Sequence, residues 1–198
     1  MINKWAVVIG SSTGGTKILE LILQEFPKDF AADIFIVQHI PPQFIVRLAE
    51  RLNKLCHIEI KPGEAGETVQ KGVAYIAPGD CHLQVEKSTT NYYEKKIQLI
   101  CEAYKFGICP AIDITMKSIA ATYRQYSIGV ILSGMGEDGL EGMQAIKAVG
   151  GICLVQDPVD AVIRSMPEAI IKAGIADQLL ERNLIGKRIL EIITNGSK

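Results

Sequence analysis

Short apolar runs, each followed by a segment of helical periodicity, recur along this chain. Trp5–Ile9 (WAVVI) precedes a stripe of Ile18, Leu19, Ile22 and Leu23 within a predicted helix over 16–24. Ile34–Val37 (IFIV) precedes Phe44, Ile45, Leu48, Leu52 and Leu55 at helical spacing. Ile128–Leu132 (IGVIL) precedes a predicted helix over 139–148, and a strand over 152–155 precedes one over 167–173. Runs with no polar alternation suit strands covered on both faces. Strand-helix alternation then dictates a mostly parallel sheet with right-handed crossovers. The expected fold is α/β: a doubly wound sheet in a three-layer α/β/α arrangement.

The middle departs from this rhythm. Residues 58–101 carry Gly63, Gly66, Gly72 and Gly79, with β-type runs at Val73–Ile76, His82–Val85 and Ile97–Cys101. These predict an antiparallel patch or hairpin on one sheet edge, with the polar stretch Glu86–Lys96 as its tip in water. A helix over 110–124, with Ile112, Met116, Ile119 and Tyr123 on one stripe, restores the alternation. A last amphipathic helix is predicted over 183–194. At 198 residues and 48% hydrophobic, the chain reads as a single domain, 1–198, able to bury a real core.

Three of the apolar runs end in chemically capable residues. The first enters Gly10-Ser11-Ser12-Thr13-Gly14-Gly15, the second Gln38-His39, and the third Ser133-Gly134-Met135-Gly136-Glu137-Asp138-Gly139. In an open parallel sheet the carboxyl ends of the strands share one rim, where sites form. A hydroxyl, an imidazole and a carboxylate arriving there are the parts of an acyl-transfer centre. Gly10–Gly14 matches G-x-S-x-G between a strand and a helix, the setting of a nucleophile elbow with Ser12 at its apex. The helix that follows makes the Thr13 N–H the first candidate oxyanion donor. A glycine turn that binds phosphate is the plainer reading, although Lys17 is displaced by one position from a P-loop lysine. His39 is either an ordinary loop histidine or the general base.

Gly134–Gly139 also matches G-x-G-x-x-G, and Asp157 follows the next strand, which is the layout of a dinucleotide fingerprint. Glu137 and Asp138 weigh against that alternative, because they would crowd a pyrophosphate with negative charge. Beside Ser12 and His39, a carboxylate of this loop fits a third catalytic member better. The other histidines each follow a cysteine, Cys56-His57 and Cys81-His82, without the spacing of a zinc site, so no metal is expected. A net charge of −1 with mixed signs excludes a nucleic-acid footprint or a polybasic membrane patch. No run is long enough for membrane insertion. Five cysteines, an odd number without a C-x-x-C pair, predict a reducing, cytoplasmic setting with most of them buried as small apolar residues.

Together these segments resemble the catalytic domain of the chemotaxis protein-glutamate methylesterases, the CheB family. The resemblance rests on VVIGSSTGG (7–15), VQHIPPQF (37–44), GVAYIAPGDCHLQV (72–85), CPAID (109–113), ILSGMGEDG (131–139) and LVQDPVDAVIRSMPEAIIKAG (154–174), in family order. It implies Ser12 as nucleophile, His39 as base and then acid, and Asp138 rather than Glu137 as orienter. It places Thr13 and Met135 at the site. It further implies a cofactor-free hydrolase acting on glutamate methyl esters of chemoreceptor helices, with deamidation of receptor glutamines possible by the same residues. The implied topology is not that of the α/β-hydrolases, in keeping with the chain order Ser…His…Asp. The chain departs from the family in two places. No receiver domain is expected before Trp5, so the chain is read as a free-standing member or a shortened one. Ser165 stands where the family commonly has glycine.

Overall fold

Every residue of the strands Trp5–Ser11 (β1), Ala32–Gln38 (β2), Val73–Ile76 (β4), Ser127–Ile131 (β7) and Ile152–Gln156 (β8) is buried. Two short strands, Glu59–Pro62 (β3) and Gln178–Leu180 (β9), complete a seven-stranded sheet in the order β3-β4-β2-β1-β7-β8-β9. All of its pairings are parallel. The computed structural model describes residues 5–89, 91, 94–102 and 104–196, with Phe106 described by its backbone alone.

The alternation of side chains along β1 explains the layers. Val7 and Ile9 face one core with Thr16–Gln24 (α1), Ile45–Asn53 (α2) and Arg182–Asn195 (α6). Ala6 and Val8 face the other with Ile112–Tyr123 (α3), Leu140–Ala148 (α4) and Ser165–Lys172 (α5). Burial on both faces is what selected the uninterrupted apolar runs.

The hairpin forms, but not on the edge of the sheet. His82–Lys87 (β5) and Lys95–Ile100 (β6) pair antiparallel as a separate two-stranded sheet. It packs on α3 through Leu83, Val85 and Ile97, and Thr115 Oγ1 donates to Leu83 O at 2.7 Å. Val73–Ile76 instead joins the parallel sheet between β3 and β2. The expected hairpin tip narrows, because β5 and β6 run further than predicted; its Thr90, Tyr92 and Tyr93 lie outside the described residues.

The cysteine expectation also needs correcting. Cys81 and Cys101 are joined in a disulfide across the base of the hairpin. The His82↔Ile100 pairing brings their neighbours opposite each other, a proximity no local spacing reveals. Cys153 is buried, whereas Cys56 and Cys109 are half-buried. Among the described residues no helix is long and apolar enough to cross a membrane.

Candidate active site

The direction in which the chain winds reverses at β1. From there it first moves through β2 towards β3, then returns through β7 towards β9. In such sheets the crevice at the reversal, outside the strand carboxyl ends, is the favoured place for a ligand. The loops after β1 and β7 flank it, and the loop after β2 lies next to them.

These loops are stitched together by named bonds. Ser11 pairs with Gln38 in register, and the His39 N–H continues that ladder to Ser11 O at 2.9 Å. Ser12 and His39 therefore leave neighbouring strands side by side. The Ser12 N–H donates to Ser133 O at 3.0 Å, joining the first loop to the third. Gly134 makes this approach possible: a Cβ there would sit 2.7 Å from Ser12 Cβ and 2.1 Å from Met166 Sδ. Gly14 turns the first loop with φ +85°, a conformation that other residues rarely adopt.

His39 Nε2 lies 2.9 Å from Asp138 Oδ2, with only 19% and 4% of the two side chains exposed. Asp138 is itself held at the start of α3. Its Oδ2 accepts the Ile112 N–H at 2.7 Å and its Oδ1 the Asp113 N–H at 3.0 Å. Two otherwise unpaired helix N–H groups and the positive end of the helix dipole thus replace the water that the carboxylate has lost. With Nε2 engaged, Nδ1 is the ring nitrogen left for a hydroxyl. Among the described residues the Ser12 hydroxyl makes no hydrogen bond, and the N–H groups of Thr13 and Met135 meet no acceptor. Catalytic contacts are commonly loose until substrate arrives. A fixed imidazole–carboxylate pair thus lies on the rim next to the loop that carries the Ser12 hydroxyl, parts able to support acyl transfer.

The remaining sequence candidates lie elsewhere or are otherwise engaged. Glu137 is exposed beside Asp138, and no bond links it to His39. Asp157 Oδ1 accepts the Val159 N–H at 2.8 Å, closing its own turn. His82 is buried with both nitrogens on backbone: Nδ1 accepts from the Ala111 N–H at 2.9 Å and Nε2 donates to Glu102 O at 2.7 Å. His57 is exposed. Among the described residues no three His, Cys, Asp or Glu side chains are grouped to hold a metal ion.

Several positioning residues escaped the sequence reading. Gln38, 1% exposed, accepts the Ser11 hydroxyl at 2.5 Å and donates to Ser12 O at 3.0 Å. Gln156 plays the same part for the third loop, accepting the Ser133 N–H at 2.8 Å and donating to Asp160 at 2.7 Å. Ser133 Oγ donates to Thr13 O at 2.7 Å and accepts the Ile163 N–H at 2.9 Å. A signal for the glutamines was present: each closes an apolar strand, IFIVQ and ICLVQ. A neutral amide at the end of a buried strand is positioned to pair loop backbone that the ladder no longer satisfies.

Known proteins match this chain in sequence and in fold. A family model described as CheB methylesterase matches residues 7–189. Protein-glutamate methylesterase/protein-glutamine glutaminase of Trichodesmium erythraeum is 40% identical over 187 residues, 94% of this chain and 52% of that protein. The protein of the same name from Halalkalibacterium halodurans is 38% identical over 188 residues, 95% of this chain and 54% of its own length. The chain thus spans about half the length of the curated relatives it matches. A crystal structure of the Thermotoga maritima CheB methylesterase catalytic domain superposes with a TM-score of 0.92 at 37% identity, covering 96% of this chain and 100% of that one. With its fold matched to that domain throughout and its sequence matched over nearly its whole length, the chain belongs to the CheB methylesterase family.

Proposed function

We propose that residues 1–198 form one catalytic domain that hydrolyses γ-methyl esters of glutamate on a protein substrate. Ser12 Oγ attacks the ester carbonyl while His39 Nδ1 takes its proton. The N–H groups of Thr13 and Met135 stabilise the oxyanion. The C–O bond to methoxide breaks, and the proton on His39 leaves with it as methanol. Water, deprotonated by His39, then attacks the acyl-enzyme and releases free glutamate and Ser12. Asp138 fixes the imidazole tautomer through Nε2 and balances the imidazolium charge.

The observation that carries this reading is the 2.9 Å contact between His39 and a carboxylate fixed on a helix terminus, beside the loop that carries Ser12. The names of the relatives support glutamate ester and glutamine amide as the side chains attacked. Exposed apolar residues support a macromolecular substrate: Met135 is 73% and Val162 65% exposed. They flank the serine loop, Val162 lying within 2.6 Å of a Cβ built on Gly14. Methylated chemoreceptor helices and a cytoplasmic location belong to the same proposal. The Cys81–Cys101 bond pulls against the location, since disulfides are rare in reducing compartments.

Methanol release from a helical peptide bearing glutamate γ-methyl esters tests the proposal. Ser12→Ala is expected to retain the wild-type Tm and lose turnover; sustained turnover in that variant would refute it. Mass spectrometry separates the two chemistries, since demethylation removes about fourteen mass units and deamidation adds about one.

A further inference from the structure

Asp113 is buried, 5% exposed, and the mechanism above gives it no role. It lies at the second position of α3 and Asp138 lies just before α4, and each carboxylate serves the other's helix. Asp138 accepts the Ile112 and Asp113 N–H groups at the start of α3. Asp113 Oδ1 accepts the Gly139 N–H at 3.0 Å and the Gly142 N–H at 2.8 Å at the start of α4. Asp113 thus holds Asp138 from two directions. Its backbone N–H binds the Asp138 carboxylate, and its side chain binds the peptide immediately after Asp138.

Two buried carboxylates this close repel each other, and burial adds to the cost. Burial, and secondarily the charge of Asp138, push the Asp113 carboxyl above its ordinary range. The four helix N–H groups that the two carboxylates accept offset part of that cost, and they also fix where each carboxylate lies. Asp138 sits in a loop with glycines on both sides, at 136 and 139, each at positive φ. Such a segment does not hold one conformation by itself. A catalytic carboxylate must be fixed to within a fraction of an ångström of its imidazole.

We propose that Asp113 is a positioning residue for the esterase reaction: its carboxylate oxygen locks the Asp138–Gly139 peptide so that the Asp138 carboxylate meets His39. The inference rests on the function proposed above. The acceptor and its position matter here, not the negative charge. Asparagine can present an oxygen at the same place, whereas glutamate keeps the charge and displaces the oxygen by one methylene.

The test compares Asp113→Asn, Asp113→Glu and Asp113→Ala, each in the full chain. Two readouts are used: methanol release from the methyl-ester peptide, and the NMR signal of the His39 Nε2 proton bonded to Asp138. Asp113→Asn is expected to keep kcat within about fivefold of wild type and to keep the signal. Asp113→Glu and Asp113→Ala are expected to lower kcat at least thirtyfold with KM within about twofold, and to lose the signal. Thr115→Val, which breaks the buried Thr115–Leu83 bond on the same helix, is the control for simple destabilisation and is expected to keep the signal. Equal loss in Asp113→Asn and Asp113→Glu, or a kcat for Asp113→Glu within threefold of wild type, would overturn the proposal. Should Asp113→Ala fail to fold, the asparagine-glutamate pair still decides. An inactive wild type would refute the esterase reading alone, and the NMR comparison would still decide the role of Asp113.

Discussion

Gln38→Met removes one amide from beneath the nucleophile loop and leaves the side-chain volume nearly unchanged. Two bonds are lost, to the Ser11 hydroxyl and to Ser12 O. They are not equivalent. Ser12 O keeps the Gly15 N–H at 3.0 Å, so it is still paired. The Ser11 hydroxyl is fully buried, has no other partner among the described residues, and is stranded. An unsatisfied buried polar group costs about 1–3 kcal/mol, and we take about 2 kcal/mol for this one. For a domain of this length that is roughly a 4–8 °C fall in Tm, readable by calorimetry or circular dichroism. The reasoning has an internal check. In Ser11→Ala/Gln38→Met the stranded donor is gone, so the double variant is expected to be more stable than Gln38→Met alone by about 1 kcal/mol or more. A Gln38→Met Tm within about 1 °C of wild type would refute the argument, as would a double variant whose losses simply add.

Asp138→Asn leaves one acceptor oxygen where the carboxylate has two, so its NH₂ must face either the Asp113 N–H or the Ile112 N–H and His39 Nε2 together; kcat is expected to fall by on the order of 10³–10⁴ in the methanol assay, with the fold retained. Asp113→Asn is expected to raise Tm at pH 7. The folded-state pKa of Asp113 lies above its unfolded value of 3.8, so the wild type bears a penalty fully present above the folded pKa and absent below the unfolded one; calorimetry should show the variant's advantage shrinking as pH falls towards that value. A thiol titration in denaturant without reductant is expected to find three reactive cysteines of the five, matching a closed Cys81–Cys101 pair; five would exclude that pair.

The parts of the fold legible in the sequence are those where burial is local and continuous. WAVVI, IFIV and IGVIL announce strands because every neighbour is apolar, and the residues that end them mark the rim. The strands β3 and β9 were missed. With four and three residues and mixed exposure, they are too short to carry a continuous apolar run, and each pairs with one neighbouring strand that offers a ladder. The hairpin was legible, but its seat on α3 was not, since that depends on contacts far apart in sequence. At the site, Ser12 and His39 could be placed by their strands, and Asp138 is separated from Glu137 mainly by resemblance. Gln38, Ser133 and Asp113 stayed hidden because a polar side chain reveals its partner only once the chain is folded.

The exchange of carboxylates between the beginnings of α3 and α4 has a consequence for breathing motions. Neither helix can unravel at its first turn without exposing the acid that serves the other. The amides of Ile112, Asp113, Gly139 and Gly142 should therefore swap hydrogen for deuterium at one common opening rate rather than fraying one by one. The rim beside His39 is then as durable as the interlock between these two helices, and a disturbance deep in their shared packing would reach the imidazole without touching it.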